Sequence, residues 1–469
     1  MMLESVTRAT TLTMTDPSTG EELKTYPSIS RDRLDGVLAA ATAAQRDWRR
    51  TSVAERIEPL RRLAELLRTE AEQHAEIIST EMGKPVSEAI AEVLKCATAC
   101  DYYADHAEEF LAPKAVETNA ERSYISYEPI GVVLAVMPWN FPYWQVIRFA
   151  APTLTAGNGG LLKHASNVTG CSLALQDIIE RAGFPNGLFT SLVLSEHALV
   201  NEIIADRRVA AVTLTGSEAA GANVAEAAGR ALKKTVLELG GSDPFVILGD
   251  APIPAVVPNA VKARFGNAGQ SCLCAKRIIV EEPAADEFER LVVPAVEALQ
   301  VGSPLDPATQ IGPLAKPSFV DDIDRQVQDS IAMGARLLTG GKRIPGPGNY
   351  YAPTVLADVT PDMPVFREET FGPVMAIIRA GSPEQAAIHA DDTQYGLGAS
   401  VWTADVAKGL RLGADIESGA LFVNGVVASD PRLPFGGTKL SGYGRELSVE
   451  GMREFTNVRS VWTASLSVD

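Results

Sequence analysis

Apolar residues follow a helical period over the N-terminal part of the chain. After a turn-rich start at residues 16–20, the stretch 30–111 is rich in Ala, Leu, Glu and Arg, with apolar positions three and four residues apart. This spacing predicts several consecutive helices. Cys96 and Cys100 are four residues apart in one of them, hence on one helix face, and we expect both to be small buried residues.

The middle of the chain alternates short β-branched runs with helical segments. The runs predict strands at residues 131–137, 160–163, 188–194 and 209–215. The helices between them are predicted to begin near Asn167, Glu196 and Ser217. This alternation is typical of a parallel sheet with crossover helices, in which ligands bind at the carboxyl ends of the strands. We therefore predict a dinucleotide-binding core here.

A second alternating series follows Glu238. Its strands are predicted at residues 244–248, 277–280, 374–378, 398–402 and 420–424. The repetition predicts a second α/β domain. The last segment, residues 457–467, alternates apolar and polar side chains like a half-buried strand. Because it is far in sequence from either core, we expect it to pair with another subunit.

Composition is typical of a globular protein with a large core. The chain has 469 residues, 46% hydrophobic and 22% charged, and this length predicts more than one domain. Lys and Arg total 42 against 59 Asp and Glu, and the net charge of -17 disfavours nucleic acid and anionic membranes as partners. No apolar run reaches the roughly 20 residues of a membrane helix, and the N-terminus is polar rather than signal-like, so we expect a cytoplasmic protein.

The five cysteines and five histidines argue against disulfides and against a metal. An odd number of cysteines in a large chain favours reduced thiols. The cysteines and histidines form no CxxC or HxxxH cluster. We therefore predict no metal site, and each thiol has to be considered individually.

Three segments next to predicted strands carry candidate chemistry. Cys272 ends the segment Phe-Gly-Asn-Ala-Gly-Gln-Ser-Cys, whose glycines let a thiol and its own N–H approach a ligand. Glu238 ends an apolar strand before two glycines, where burial would raise its pKa toward that of a general base. Asn140, in Pro-Trp-Asn-Phe-Pro, is placed to donate its amide to a developing oxyanion. Taken singly, each has an ordinary alternative: a buried cysteine, an exposed strand-end carboxylate and a turn asparagine.

Together these segments resemble the aldehyde dehydrogenase superfamily over residues 15–463. The matching motifs, in the family's order and spacing, are PWNFP, TLTGS, LELGG, NAGQSC, EETFGPV and PFGGTKLSGYGRE. The resemblance implies an α/β fold with a Rossmann-type cofactor domain, an α/β catalytic domain and a small β extension for assembly into a homodimer or homotetramer. The implied division is 1–111 with 132–241 for the cofactor domain, 242–442 for the catalytic domain, and 112–131 with 443–469 for oligomerisation.

The resemblance also implies the reaction and the roles of the three residues. An aldehyde would be oxidised to a carboxylic acid through a thioester on Cys272, with a nicotinamide cofactor. Asn140 and the Cys272 backbone N–H would bind the oxyanion, and Glu238 would activate the water that hydrolyses the thioester. Relatives that pass the acyl group to coenzyme A lack a carboxylate at the Glu238 position, so its presence favours hydrolysis.

The resemblance implies a cofactor site that is not of the GxGxxG kind, and no such loop follows a strand in this chain. Residues 213–217 lead from a strand into a helix whose N-terminus can receive a phosphate, through Gly216 and Ser217. By resemblance, Glu369 binds the ribose on the nicotinamide side, Phe371 lies beside the ring, and Lys163 binds the adenine ribose. The resemblance adds two further contacts, Trp139 and Leu239.

Ser166 predicts which nicotinamide cofactor is preferred. Many NAD-preferring relatives carry a glutamate there, whose charge would repel the 2′-phosphate of NADP. The Ser166 hydroxyl can instead donate to that phosphate while Lys163 supplies a positive charge. We therefore predict NADP as the preferred cofactor, with NAD also accepted.

Within the superfamily the chain is most similar to the succinate semialdehyde dehydrogenases, on the segments WNFPYWQVIRFAAPTLTAGNGGLLKHASN and SDPRLPFGGTKLSGYGREL. At the subgroup's positions, Arg148 would bind the distal carboxylate of the substrate and Ser429 would lie on the substrate side. An ion pair on a helix face is the alternative for Arg148. Some members carry a second arginine just before the cysteine, but Gly266 is at the nearest position here and Arg264 is two residues further off.

Two other functions stay open at this point. One is a broader dehydrogenase of neutral aliphatic or aromatic aldehydes. The other is a non-catalytic structural relative, which the presence of Cys272, Glu238 and Asn140 disfavours.

Cys274 is two residues after Cys272, so in an extended segment both thiols would project to the same side. This spacing suggests a reversible disulfide that silences the enzyme under oxidation. A small apolar side chain that only fills space is the alternative.

Overall fold

The computed structural model describes residues 11–196 and 198–466. Its N-terminal part is an antiparallel hairpin followed by four helices, and the four helices confirm the helical prediction. Cys96 and Cys100 are fully buried, as predicted. The hairpin was not predicted, because its short strands are largely exposed. The bounds are β1 (Thr11–Thr15), β2 (Glu22–Pro27), α1 (Arg31–Trp48), α2 (Val53–Thr69), α3 (Ala71–Met82) and α4 (Val86–Leu111).

Residues 114–238 contain the first alternating unit. The strands predicted in this unit are all present and differ from the prediction only at their ends. In chain order the elements are β3 (Lys114–Ala115), β4 (Arg122–Pro129), β5 (Val132–Met137), α5 (Trp144–Thr155), β6 (Gly159–His164), α6 (Thr169–Arg181), β7 (Phe189–Ser191), α7 (Ala198–Ala205), β8 (Val209–Thr215), α8 (Glu218–Arg230) and β9 (Lys234–Glu238).

The second unit runs from residue 243 and contains the five predicted strands as β10, β11, β14, β16 and β17 below. Its elements are β10 (Asp243–Ile247), α9 (Ile253–Phe265), β11 (Ala275–Glu281), α10 (Glu282–Glu297), α11 (Pro317–Ala332), β12 (Arg336–Thr339), β13 (Thr354–Ala357), α12 (Pro364–Arg367), β14 (Val374–Ala380), α13 (Pro383–Asp391), β15 (Tyr395–Gly396), β16 (Ala399–Trp402), α14 (Val406–Gly413), β17 (Leu421–Val423), β18 (Thr438–Lys439), β19 (Gly442–Tyr443), α15 (Ser448–Glu454) and β20 (Thr456–Thr463).

Two mainly parallel sheets form the framework and confirm the α/β class. The first has the order β19-β9-β8-β5-β6-β7, in which only β19 runs antiparallel to its neighbour. The second has the order β12-β13-β14-β11-β10-β16-β17, and only β12 is antiparallel. Central strands such as β5 and β10 are buried along almost their whole length, which is why they are continuous apolar runs in the sequence.

The C-terminal strand belongs to a third, antiparallel sheet of order β20-β4-β3. We expected this segment to pair with another subunit, but along its length it pairs with β4 of its own chain, from Thr456 with Pro129 to Thr463 with Arg122. β4 was not predicted as a strand. Val458 and Trp462 on β20 remain 60% and 56% exposed, so the strand is less buried than its alternation suggested.

The division of the chain into domains stays a prediction, and separate apolar cores are consistent with it. One cluster surrounds the second sheet, and two others cover the two faces of the first sheet. The segments 112–131 and 443–469 both contribute strands to the third sheet, whereas α15 packs against α4 and α5. No helix within the described ranges is both long and apolar enough to cross a bilayer.

Candidate active site

Two cavities meet at the thiol of Cys272. The first, of about 420 Å³, lies beside the N-terminus of α8, and the second, of about 340 Å³, lies between α4, α5 and the segment around Ser429. Among the described residues, only Cys272 and Gln145 line both cavities. Volumes in this range suit small molecules and cofactors. A nucleophile at the junction can therefore reach ligands that enter from both sides.

A sharply folded loop presents this thiol. Asn267 and Ala268 have φ values of 53° and 52°, and Gly269 follows with a φ of 73°. A Cβ on Gly269 would lie 2.1 Å from the carbonyl oxygen of Gly372, so only glycine fits there. The permissive backbone expected from the sequence is therefore used to fold the loop beneath Cys272.

Lys276 stabilises the turn that contains Cys272. Sequence reasoning did not single out this residue. Its fully buried ammonium group donates to the carbonyl oxygens of Ser271 and Cys272, both at 2.9 Å, and to the Glu369 carboxylate at 3.0 Å. Lys276 thereby connects the nucleophile loop to a predicted cofactor ligand. The sequence signal that could have identified Lys276 is the presence of a lysine inside the apolar strand β11.

The Cys272 thiol lies in a strongly desolvated site. Burial raises its pKa to about 12, against the opposing positive charges of Lys276 and Arg148. The thiolate is the nucleophilic form of cysteine, so attack by Cys272 requires loss of this proton. The site must therefore provide a base or stabilise the negative charge as it forms.

The Asn140 amide is held in one orientation within the first cavity. Its Oδ1 accepts from Gln145 Nε2 at 3.0 Å, and its Nδ2 donates to the carbonyl oxygen of Gln270 at 3.1 Å. One Nδ2 hydrogen remains for an oxyanion formed at Cys272. Gln145, five residues after Asn140, is a second residue that sequence reasoning missed.

Glu238 ends β9, as predicted, but its carboxylate does not line either cavity. It is 2% exposed, and a Cβ on Gly436 would lie 2.9 Å from its Oε1, so the side chain is directed toward Gly436. Burial, and the negative charge of Glu446, raise the pKa of Glu238 well above its ordinary value. Neither carboxylate oxygen has a hydrogen-bond partner among the described residues.

The first cavity brings together most of the predicted cofactor contacts. Ser217 caps α8, accepting from the Ala220 N–H at 3.4 Å, so the helix N-terminus faces the cavity as an anion site. Glu369 accepts from the Gly241 N–H at 3.0 Å. A lining that combines aromatic and apolar side chains with a helix N-terminus suits a dinucleotide. The predicted residues that line it with Cys272 and Asn140 are Trp139, Gly216, Ser217, Leu239, Glu369 and Phe371.

Lys163 and Ser166 lie outside the lining of this cavity. Lys163 is buried near the carboxyl end of β6, and burial, with the nearby charge of Lys316, lowers its pKa. Ser166 follows in a half-buried single turn. Lys316 is thus a second lysine close to Lys163, the residue predicted to bind the adenine ribose.

Arg148 and Ser429 line the second cavity, and Arg148 also contacts residues outside this lining. Its Nε forms an ion pair with the buried carboxylate of Glu446, and its guanidinium donates to Thr215 Oγ1 at 3.4 Å and lies 4.6 Å from the Phe435 ring centroid. The expectation that anion binding rests on Arg148 stays a prediction. The contacts of Arg148 are those of the alternative interpretation, an ion-paired arginine.

Arg264 does not replace the missing second arginine. Its fully buried guanidinium donates to the carbonyl oxygens of Val374, Gly269, Thr370 and Gly372. All of these contacts are with the backbone. Arg264 thus stabilises the loops around Cys272 and is not placed to bind a substrate.

Cys274 lies in a turn rather than in the extended segment that we expected. Its N–H donates to the Ser271 carbonyl oxygen at 3.2 Å, which closes a turn across Cys272. The Cys274 thiol is 3% exposed, with its Sγ 4.0 Å from the Gly266 carbonyl oxygen. The expectation of an extended segment is therefore wrong, whereas the Cys272–Cys274 switch stays a prediction. The contacts of Cys274 are those of a small buried side chain.

Known proteins match this chain along nearly its whole length. The sequence model of the Aldehyde dehydrogenase family matches residues 4–461. A probable NADP(+) succinate-semialdehyde dehydrogenase of Synechocystis is 49% identical, over 96% of this chain and 99% of the relative. An Escherichia coli succinate semialdehyde dehydrogenase, named for NAD(P)+, is 46% identical over 98% of this chain and 99% of its own length.

A solved structure extends the agreement to three dimensions. Succinic semialdehyde dehydrogenase from Streptococcus pyogenes, crystallised with NADP+, superimposes with a TM-score of 0.94 at 39% identity. The match covers 97% of this chain and 100% of the other. Because the family match spans the chain and the relatives share close to half of its residues, this chain belongs to the aldehyde dehydrogenase family.

Proposed function

We propose that this protein oxidises succinate semialdehyde to succinate, with NADP as the preferred cofactor and NAD as an accepted one. The observation that carries the proposal is the position of Cys272 between two cavities, one suited to a dinucleotide and the other to a small aldehyde. The names of the relatives from Synechocystis, Escherichia coli and Streptococcus pyogenes support both the substrate and the cofactor.

The first half of the reaction uses Cys272 and Asn140. The thiolate of Cys272 attacks the aldehyde carbon, a C–S bond forms, and the carbonyl oxygen becomes an oxyanion. Asn140 Nδ2 and the Cys272 N–H donate to this oxyanion. Trp139 and Phe371 line the first cavity and would hold a nicotinamide ring there, which would supply the acceptor for the hydride that leaves the same carbon.

The second half of the reaction uses Glu238. The thioester on Cys272 is attacked by water, whose proton passes to the Glu238 carboxylate, and the C–S bond breaks to release the acid. Because this carboxylate is directed toward Gly436, its side chain has to rotate toward Cys272 to meet the water. The raised pKa of Glu238 makes it a stronger base once it is ionised.

The proposed function is tested with purified protein, two aldehydes and two cofactors. Succinate semialdehyde and butanal have the same number of carbons and differ in the terminal carboxylate, so their kcat/KM ratio isolates recognition of that charge. We expect a higher kcat/KM for succinate semialdehyde. Equal values for both aldehydes would favour a broader dehydrogenase of neutral aldehydes and defeat the proposed substrate.

Ser166→Glu is expected to reverse the cofactor preference from NADP to NAD. A carboxylate at position 166 repels the 2′-phosphate of NADP and accepts hydrogen bonds from the adenine ribose of NAD. The measurement is kcat/KM for each cofactor at saturating aldehyde, in wild type and variant. Ser166→Ala is the matched control, since it removes the hydroxyl without adding charge. A wild type that prefers NAD, or an unchanged ratio in Ser166→Glu, would show that Ser166 does not set the choice.

We also propose that the protein forms a homodimer or homotetramer. β20 is an edge strand of the third sheet and exposes Val458 and Trp462 on one face. Light scattering at micromolar concentration should give a dimeric or tetrameric mass, and Trp462→Glu should lower it by placing a charge in the contact. A monomeric mass for the wild type would contradict the proposal.

A cytoplasmic location completes the proposal. All five cysteines are free, although Cys96 and Cys100 lie on the same face of α4. Reduced thiols are the normal state of cysteine in the cytosol, which supports this location.

A further inference from the structure

Lys276 is a fully buried cation beside the Cys272 turn with no role in the reaction steps given above. It lies near the start of β11, and its ammonium group donates to the carbonyl oxygens of Ser271 and Cys272, both at 2.9 Å. The third ammonium hydrogen is used in the ion pair with Glu369, at 3.0 Å. All three hydrogens of the ammonium group therefore have acceptors, and these contacts hold the charge at one position.

The bond from Lys276 to Ser271 sets the direction of the Cys272 N–H. This N–H and the Ser271 carbonyl belong to one peptide unit, and in a trans peptide the two groups point in opposite directions. Because Lys276 binds the carbonyl oxygen, the N–H points away from Lys276. The Cys272 N–H has no acceptor among the residues that the structure describes, so it is left to donate to an oxyanion that forms at Cys272.

The charge of Lys276 also acts on the Cys272 thiol. Burial raises the pKa of this thiol to about 12, and the positive charge of Lys276, followed by that of Arg148, opposes the rise. The negative charges of Glu369 and Asp243 add to it. A positive charge in a desolvated site stabilises a nearby anion more than it would in water. Of the two cations, Lys276 therefore contributes most to formation of the thiolate.

Glu369 limits the effect of this cation on the thiol. Its carboxylate pairs with Lys276 and accepts from the Gly241 N–H at 3.0 Å. Gly241 itself packs against the nucleophile turn, since a Cβ there would lie 2.7 Å from the Cys272 carbonyl oxygen. The Glu369 side chain is 21% exposed and lines the first cavity, whereas the Lys276 side chain is fully buried. The positive end of the pair thus lies at the Cys272 turn and the negative end at the cavity.

We infer that Lys276 is a positioning residue that directs the Cys272 N–H toward the oxyanion and stabilises the Cys272 thiolate. The inference rests on the proposed function, because it takes Cys272 as the nucleophile. It assigns Lys276 to formation of the thioester and leaves its hydrolysis to Glu238. Lys276 acts only through Cys272, since its side chain lies outside the lining of both cavities.

The test measures alkylation of Cys272 by iodoacetamide at several pH values, with purified protein and no cofactor, from the mass of the Cys272 peptide. Only the thiolate reacts, so the rate below the thiol pKa follows the thiolate fraction. Lys276→Met and Lys276→Gln both remove the charge, and glutamine keeps a donor. We expect each to slow alkylation about 10-fold, the effect of about one pH unit in the thiolate fraction.

Glu369→Gln tests the same electrostatics without altering Lys276. It removes the negative charge that opposes the cation, so alkylation of Cys272 should accelerate. Lys262→Met is the matched control, because Lys262 is a lysine of the second cavity whose charge is exposed to solvent. Its replacement should change the alkylation rate less than about twofold.

The direction of the change separates the charge of Lys276 from a structural role. A turn that merely loosened would expose the Cys272 thiol, and since burial is the main cause of its raised pKa, alkylation would accelerate. Unchanged or faster alkylation in both Lys276 variants would overturn the inference, as would slower alkylation in Glu369→Gln. If thermal unfolding shows that neither Lys276 variant is folded, Glu369→Gln decides the outcome.

Rapid-mixing kinetics provide a second measurement with the cofactor present. Lys276→Met should slow the burst of reduced cofactor about 10-fold, because the thiolate and the oxyanion both form before the hydride leaves. A normal burst followed by slow turnover would place Lys276 in hydrolysis of the thioester and contradict the inference. A wild type without preference for succinate semialdehyde would refute the proposed substrate alone, since the alkylation of Cys272 involves no aldehyde.

Discussion

Cys272→Ala should abolish aldehyde oxidation, lowering kcat by at least about 1,000-fold, while the fold and cofactor binding persist. Among the described residues, Cys274 also lines the second cavity, but its side chain is 3% exposed next to Gly266, and Cys272 is the cysteine that lines both cavities. Cys272 is only partly buried, so truncating it creates little cavity. The measurement pairs steady-state kinetics with cofactor binding by fluorescence and with thermal unfolding.

Cys274→Ala is the matched control for this variant, since it removes a thiol from the same turn. Its thiol fills space next to Gly266, so we expect a small loss of stability and continued turnover. Residual turnover of Cys272→Ala close to wild type would exclude Cys272 as the nucleophile. Unfolding of Cys272→Ala at ordinary temperature would show a structural role for the thiol instead.

Glu238→Gln should release one reduced cofactor per site at a near-normal rate and then turn over about 100- to 10,000-fold more slowly. Glutamine cannot accept the proton of the hydrolytic water, so the thioester accumulates on Cys272. Burial raises the pKa of Glu238, and its base form therefore increases as the pH rises. Wild-type deacylation should accelerate with pH through this raised pKa, and Glu238→Gln should lose that acceleration. Rapid-mixing absorbance of the reduced cofactor separates the burst from the steady state.

Glu368→Gln is the matched control for Glu238→Gln, because it also removes a carboxylate near the active site. Glu368 lines the first cavity but pairs with the exposed Arg325, so its replacement should leave the burst and the later turnover nearly unchanged. Loss of the burst in Glu238→Gln would assign Glu238 to activation of the Cys272 thiol. An unaffected steady state would remove Glu238 from the mechanism.

Local sequence predicted the central strands, whereas the strands that it missed are short or only partly buried. Strands β5, β8, β10 and β11 are buried on both faces, so they are apolar runs that alternate with helices. The exposed strands of the hairpin and β4 lack this signal and were not predicted. The pairing of β20 with β4 joins segments that are far apart in the sequence. Periodicity reports the burial of a segment, but it does not report the partner of that segment.

The sequence by itself determined the chemistry of the site: a cysteine after a glycine-rich loop, a carboxylate at a strand end, and a helix N-terminus for phosphate. Each is local, since a few neighbouring residues specify the backbone that presents the group. Only the tertiary structure determined which groups the cations Arg148 and Lys95 contact. Arg148 forms an ion pair with Glu446, and Lys95 lies next to Ser429, 334 residues away in the sequence. The electrostatic state of a buried charge depends on which groups the fold places within a few ångströms, and no local pattern encodes those distances.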